Sequence, residues 1–313
     1  MSNEPVHQGS PDASIEIRDL QVRYGTDIAL DGVTVTLPGG RIYGLLGRNG
    51  SGKTTLLGTI AGRRRPSAGS VRIHGQDTFE HPRLMREIGL VGGPGQGNDA
   101  YRVRDMLRLA ATLRPTWDSE LADALQRRFD LSSRKSIMAL SRGQRAALAV
   151  TIGLANRTPV TMFDEAHLGM DAPSRYAFYD ALLEDYTAHP RTIIVSTHHI
   201  DEVARLFESV IILDHGRVLL HEDTDVLRSQ GTAITGPADV VDRTVGDLTP
   251  LSEQRLGATK ATVVYGPHTN GIRERARAAG LELGSVPLQD LFVHLTAVGP
   301  EEHRPGIGPR RVR

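Results

Sequence analysis

The sequence predicts an α/β fold: a mixed sheet around a phosphate-binding loop, a helical subdomain, and a small α+β appendage towards the C-terminus. Three observations lead there. A glycine-rich stretch, "YGLLGRNGSGKTTLLG" (Tyr43 to Gly58), lies between an apolar run and a helically spaced one. After Pro159 the strand-like runs "VTMF" and "TIIVST" alternate with helical pattern. Beyond Gln230-Gly231, short strands and short helices alternate in a segment of different character.

The glycine-rich stretch comes first. Gly47-Arg48-Asn49-Gly50-Ser51-Gly52-Lys53-Thr54 fits the phosphate-loop pattern G-x-x-x-x-G-K-[ST]. Ile42 to Leu46 reads as a short buried strand before it, and Leu56, Leu57 and Ile60 give the helical spacing after it. The glycines let successive N–H groups turn inward as an anion nest, and the helix N-terminus adds positive potential. In such a loop Lys53 reaches the β- and γ-phosphates and the Thr54 hydroxyl ligates Mg²⁺. A chance match in a glycine-rich turn is the alternative, and the complete strand–loop–helix context weighs against it. Residue usage weighs the same way. The only lysines are Lys53, Lys135 and Lys260, with arginine at every other basic position, yet a lysine stands where a compact ammonium is needed. The loop is expected to bind a nucleoside triphosphate.

At 313 residues the chain can bury one large domain and one small one. Its formal net charge of zero argues against a nucleic-acid groove or a basic membrane-surface patch. With no cysteine, disulfides, thiolate chemistry and cysteine-based metal centres are excluded. The 12 histidines read as scattered, and in the one adjacent pair, His198-His199, strand geometry would point the rings to opposite faces. No apolar run reaches the ~18–20 residues of a membrane span. The polar start "MSNEPVHQGSPDAS" lacks the apolar centre of a signal peptide. A cytoplasmic chain is expected.

Organisation follows in chain order. Residues 1–14 read as a disordered leader, 15–231 as the main domain, 232–298 as the α+β appendage and 299–313 as a disordered tail. Within the main domain a helical subdomain spans about 95–155, with "DMLRLAATL" and "LADALQRRF" at helical spacing. "DAPSRYAFYDALLEDY" predicts a helix capped by Asp171 with Pro173 in its first turn. "SVIILDHGRVLLHED" predicts a hairpin turning at His215-Gly216.

Further motifs stand in a fixed order. "LSRGQ" (Leu140 to Gln144) opens an apolar helix; a Ser hydroxyl and a Gly N–H at a helix N-terminus again suit an anion. "VTMFDE" (Val160 to Glu165) ends an apolar strand on two carboxylates, and "IIVSTHHIDEV" ends another on histidine. With the phosphate loop, these resemble the ATP-binding subunit of an ABC (ATP-binding cassette) transporter over roughly residues 15–230.

The resemblance implies roles. Asp164 would hold Mg²⁺, directly or through water, and Glu165 would polarise the attacking water. His198 would contact the γ-phosphate. Tyr24 would stack on adenine. Gly47, Asn49, Gly50, Ser51, Gly52, Lys53, Thr54 and Thr55 would cradle ATP. Ser141, Gly143 and Gln144 would close over the phosphate loop of a second subunit, with Asp171 in the loop that signals between paired sites. Arg142 departs from the family's L-S-G-G-Q. The family's glutamine after "IGLV" is also displaced: the text reads "IGLVGGPGQGNDAYRVRDML", so either Gln96 serves as the metal contact or that contact is absent.

Cofactors ATP and Mg²⁺ follow from the resemblance. So do a separate membrane-spanning partner, a homodimer or heterodimer of ATPase subunits, and a peripheral place on the inner face of the membrane. "PTWD", the spacing to "LSRGQ" and "PLQDLFVHLT" are similar to bacterial ABC-2-type exporters. A soluble ABC ATPase acting on ribosomes or nucleic acid is the alternative, against which the single cassette and zero net charge speak. A small GTPase would need N-K-x-D, which "NRTP" at Asn156 does not supply.

Overall fold

The computed structural model describes residues 14–92, 101–246, 248, 250–266 and 269–297. The expected leader apart from Ser14, Gln96, and the expected tail lie outside them.

The chain opens with a long hairpin, β1 (Ile15–Tyr24) and β2 (Asp27–Leu37), paired from Ile15 opposite Leu37 to Tyr24 opposite Asp27. Ile15, Ile17, Leu20 and Val22 of β1 are buried; a register shift between Ile17 and Leu20 keeps both halves facing inward. Strand β3 (Ile42–Leu46) then runs through the glycine-rich loop into helix α1 (Lys53–Ile60). Strands β4 (Ala68–Ile73) and β5 (Gln76–Asp77) complete an antiparallel sheet of order β2-β1-β4-β5.

Helix α2 (Leu84–Glu87) leads to β6 (Ile88–Val91). The helical subdomain follows as α3 (Val103–Leu113), α4 (Ser119–Arg128), a 3₁₀ turn at Ile137–Ala139 and α5 (Arg142–Ala155). Then come β7 (Val160–Asp164), α6 (Ala172–Ala188), β8 (Thr192–Thr197), α7 (Ile200–Val203), β9 (Ser209–Asp214) and β10 (Arg217–Asp223).

The second sheet has the order β10-β9-β3-β8-β7-β6, and from β9 to β6 its strands are parallel. Every residue of β3, β7 and β8 is buried, as expected of strands covered on both faces. One core joins the two sheets: Tyr43, Met162 and Ile194 of the parallel sheet cluster with Ile15, Val22 and Leu30 of the antiparallel one and with Leu57 of α1. The phosphate loop, the carboxylate pair and the histidines therefore gather at the C-terminal ends of β3, β7 and β8, where parallel sheets present their ligands.

A buried ion cluster ties the helical subdomain to the frame. Asp185, on α6, lies 2.9 Å from Arg157 and 2.7 Å from Arg191. Arg157 also pairs with Asp118, whose carboxylate caps α4 by accepting from the Leu121 N–H at 2.7 Å.

The chain divides into two compact units between Leu219 and Leu220. The second contains α8 (Thr224–Gln230), β11 (Gly231–Pro237), α9 (Ala238–Val245), β12 (Ser252–Leu256), β13 (Thr259–Tyr265), α10 (Thr269–Ala278), β14 (Glu282–Gly284) and α11 (Leu288–Ala297). Its antiparallel sheet, β12-β13-β11-β14, carries a core of Ile234, Val241, Val264, Ile272 and Leu281. Among the described residues no helix is long and apolar enough to cross a membrane.

Candidate active site

The loop between β3 and α1 is shaped for an anion. Gly52 has φ +104°, and a Cβ there would lie 2.7 Å from the Ala29 carbonyl oxygen, so only glycine fits. Lys53 is almost wholly buried; its Nζ donates to the carbonyls of Gly47 at 2.7 Å and Arg48 at 3.2 Å, which holds the ammonium within the loop. The Ser51 hydroxyl is buried and has no hydrogen-bond partner among the described residues. A buried orphan of this kind requires a partner, and a phosphate oxygen in the nest would supply it.

Beside the loop, β7 and β8 end together. Ser196 donates from Oγ to Asp164 Oδ1 at 2.6 Å, while the Glu165 N–H donates to Ser196 Oγ at 3.1 Å and to its carbonyl at 3.2 Å. Glu165 sits at φ +51°, a left-handed conformation that costs a non-glycine residue about 1 kcal/mol or more. The two bonds to Ser196 hold it there. Its carboxylate lies between two nitrogens, 2.7 Å from His198 Nδ1 and 3.7 Å from Lys53 Nζ. Four of the expected groups, Lys53, Asp164, Glu165 and His198, thus converge from three adjacent strand ends.

Thr54 and Asp164 line a common cleft of about 180 Å³, together with Tyr24, Gly58, Arg64 and Leu90. A hydroxyl and one carboxylate lining one cleft beside a phosphate nest suit Mg²⁺, with water and phosphate oxygens completing its shell. Among the described residues there is no group of three or more His, Cys, Asp or Glu that could hold a metal without phosphate.

The histidine pair corrects the sequence expectation. His198 and His199 lie past the end of β8, where strand alternation no longer applies, and their ring centroids are 4.1 Å apart. Nor are the histidines all scattered. His167, in the segment after Glu165, lies 6.3 Å from His198 and 5.5 Å from His199, ring centre to ring centre. It is buried, with Nε2 3.5 Å from Thr197 Oγ1 and Nδ1 without a partner among the described residues.

Burial pushes the His167 imidazole down to about 4; His199 and His198 add to this and Glu202 opposes it. The unfolded chain therefore takes up a proton near pH 6.5 that the folded chain refuses until about pH 4, so stability falls as pH drops through that window. His167→Phe is expected to remove an acid sensitivity of up to about 3 kcal/mol. Urea midpoints at pH 7 and pH 4.5 for both proteins measure it; an equal loss in both would exclude His167 as the cause.

Tyr24 ends β1, and its hydroxyl shares a hydrogen bond of 3.3 Å with Thr55 Oγ1. Its ring does not stand bare: the Arg64 guanidinium lies over it at 4.1 Å from the centroid.

The "LSRGQ" residues form a second cluster. Ser141 caps α5, accepting from the Gln144 N–H at 3.1 Å while its own N–H donates to Gln144 Oε1 at 3.3 Å. Lys135 Nζ donates to the same oxygen at 2.8 Å. A Cβ on Gly143 would lie 2.8 Å from the Gly169 carbonyl oxygen, and a Cβ on Gly169 would run into the Arg142 side chain. The stretch thus packs on the loop that ends in Asp171. That carboxylate caps α6, and bonds from Ser174 hold it below the usual carboxylate range. Arg175 steadies the same loop, donating to the Met170 carbonyl at 3.1 Å and to both Glu202 oxygens at 2.6 and 2.7 Å. Among the described residues no hydrogen bond or ion pair joins this cluster to the phosphate loop.

Ser196, His167, Lys135 and the Arg175–Glu202 pair went unread in the sequence. Only Lys135 carried a signal, as one of three lysines.

A phosphate nest beside a strand-end carboxylate pair and a histidine defines a nucleoside-triphosphate-hydrolysing protein of the phosphate-loop class. The comparisons narrow the class. The family model described as ABC transporter matches residues 30–167. The daunorubicin resistance ATP-binding protein DrrA3 of Streptomyces coeruleorubidus is 29% identical over 310 residues, covering 91% of this chain and 96% of that one. Nod factor export ATP-binding protein I of Ralstonia nicotianae is 30% identical over 212 residues, covering 65% of each. A solved structure titled "Structure of ATP binding subunit of ABC transporter" superposes with a TM-score of 0.62 at 25% identity, covering 69% of this chain and 92% of its own. Residues 30–167 thus carry the ABC transporter domain, and the chain is an ATPase of that class.

Proposed function

We propose that the chain is the ATP-hydrolysing subunit of an exporter, working as a dimer on a separate membrane-spanning partner at the cytoplasmic face. The observation that carries the catalytic half is the convergence of Lys53, Asp164, Glu165 and His198. The relatives named for drug resistance and Nod factor export support the exporter half.

In this reading the phosphate nest and Lys53 hold the triphosphate. Thr54 and Asp164 would hold Mg²⁺, which screens the phosphate charge when bound. Glu165 accepts a proton from water as the water oxygen bonds to the γ-phosphorus and the bond to the β–γ bridging oxygen breaks. His198 donates to Glu165 and so fixes the direction in which that carboxylate faces. Ser141, Gly143 and Gln144 would meet the nucleotide of the second copy, and ATP would stabilise the closed pair more than the open one.

The test is a pull-down. The tagged chain carrying Glu165→Gln is captured from detergent-solubilised native membranes in the presence of ATP. A polytopic membrane protein in stoichiometric yield is expected. Recovery only with ribosomes, with nucleic acid or with nothing would overturn the transport reading.

A further inference from the structure

The Arg64 side chain has no role in the catalysis above, and it is unusually placed. It follows the C-terminal end of α1, half-buried, and lines the cleft that also contains Tyr24, Thr54 and Asp164. Among the described residues it makes no ion pair and no hydrogen bond; its guanidinium lies over the face of Tyr24, 4.1 Å from the ring centroid. Its neighbour Arg63 is anchored differently, donating to the Leu90 carbonyl at 3.0 Å. An uncompensated planar cation stacked on the ring at the mouth of an anion site is a recognition element in search of a third layer.

We infer that Arg64 is a base-recognition residue: the nucleobase of ATP inserts between Tyr24 and Arg64 and is held by both faces. This rests on Tyr24 being the base-stacking residue. Stacked carbon layers sit about 3.5–4 Å apart, so a base between the two needs about 7–8 Å where 4.1 Å now separates them. Arg64 must therefore retreat by one layer. A long side chain with no other partner does so at little cost, and its guanidinium then covers the outer face of the base. The cation also faces a ligand that carries negative charge, whereas on bare Tyr24 it faces only a ring.

The experiment is equilibrium binding of ATP and of inorganic tripolyphosphate, which lacks a base, to the full chain and to Tyr24→Ala, Arg64→Ala and Arg64→Lys. Stacking of a cation on an aromatic face predicts that Arg64→Ala weakens ATP binding by about 3–10-fold and leaves tripolyphosphate unchanged. Arg64→Lys, which keeps the charge but not the plane, should lose most of the same factor. If Arg64→Ala weakens both ligands equally, the residue is a general phosphate attractant and the proposal fails. If Arg64→Ala tightens ATP binding, Arg64 competes with the base, and the proposal fails in the opposite direction. If Tyr24→Ala has no effect on ATP, the base does not lie on this ring and the underlying reading falls. A loss in Tyr24→Ala with none in Arg64→Ala overturns the Arg64 proposal alone.

Discussion

Glu165→Gln is expected to keep ATP bound while losing about 10²–10⁴-fold in turnover, the usual contribution of a general base. The carboxamide keeps the shape of the side chain, and its oxygen still accepts from His198. It cannot take the proton of the attacking water. The effect on binding has the opposite sign. Glu165 is an anion 3.7 Å from the Lys53 ammonium, so it competes with phosphate for that cation. Removing its charge leaves affinity for ATP equal or higher. Phosphate release at saturating ATP, with equilibrium binding in parallel, measures both. Undiminished turnover would remove Glu165 from the mechanism; lost binding would mean that the carboxylate shapes the nest.

The second large effect concerns stability. Asp185 is nearly inaccessible and compensates two arginines, of which Arg191 is itself buried. Asp185→Ala leaves the buried Arg191 guanidinium without its anion, while Arg157 keeps Asp118, and breaking a buried pair in this way costs about 3–5 kcal/mol. Asp180 is a fair control on the same helix. It pairs with Arg205 at 2.8 Å, but both side chains are about half exposed, so its loss should cost less than about 1 kcal/mol. Urea midpoints compare the two directly. Equal, small losses would show that Asp185 contributes no more than a surface pair.

These two residues also mark what could be read from the sequence. Glu165 was legible because it follows an uninterrupted apolar strand, "VTMFD", downstream of a phosphate loop. The parallel strands were legible for a related reason: burial on both faces removes the alternation with solvent-facing residues, and within β8 only small hydroxyls interrupt the run. Asp171 announced its helix because capping is local chemistry, written within four residues. Asp185 was not legible. Its partners stand 28 residues before it and 6 after, and a lone carboxylate in a helix reads as surface. Ser196 vanished into the apolar run "TIIVST", although its hydroxyl meets both Asp164 and Glu165 across the strand pair. The histidine pair misled because its strand stops at Thr197, before either histidine, so the alternation argument does not reach them. Gln96 belongs to neither group, since it lies outside the described residues.

The Ser196 bridge has a mechanical consequence. One hydroxyl, fixed in the middle of a sheet, takes hold of the strand end that bears Asp164 and Glu165, and two residues along its own chain comes His198. The backbone that carries the two carboxylates cannot be displaced without breaking these bonds beside the pairing of β7 with β8, which belongs to the most deeply buried part of the frame. Such an arrangement behaves like an anvil: it does not travel during the stroke. In a machine built this way the timing of each cycle belongs to whatever is brought up to the anvil and withdrawn from it, and the reaction itself fires the same way every time.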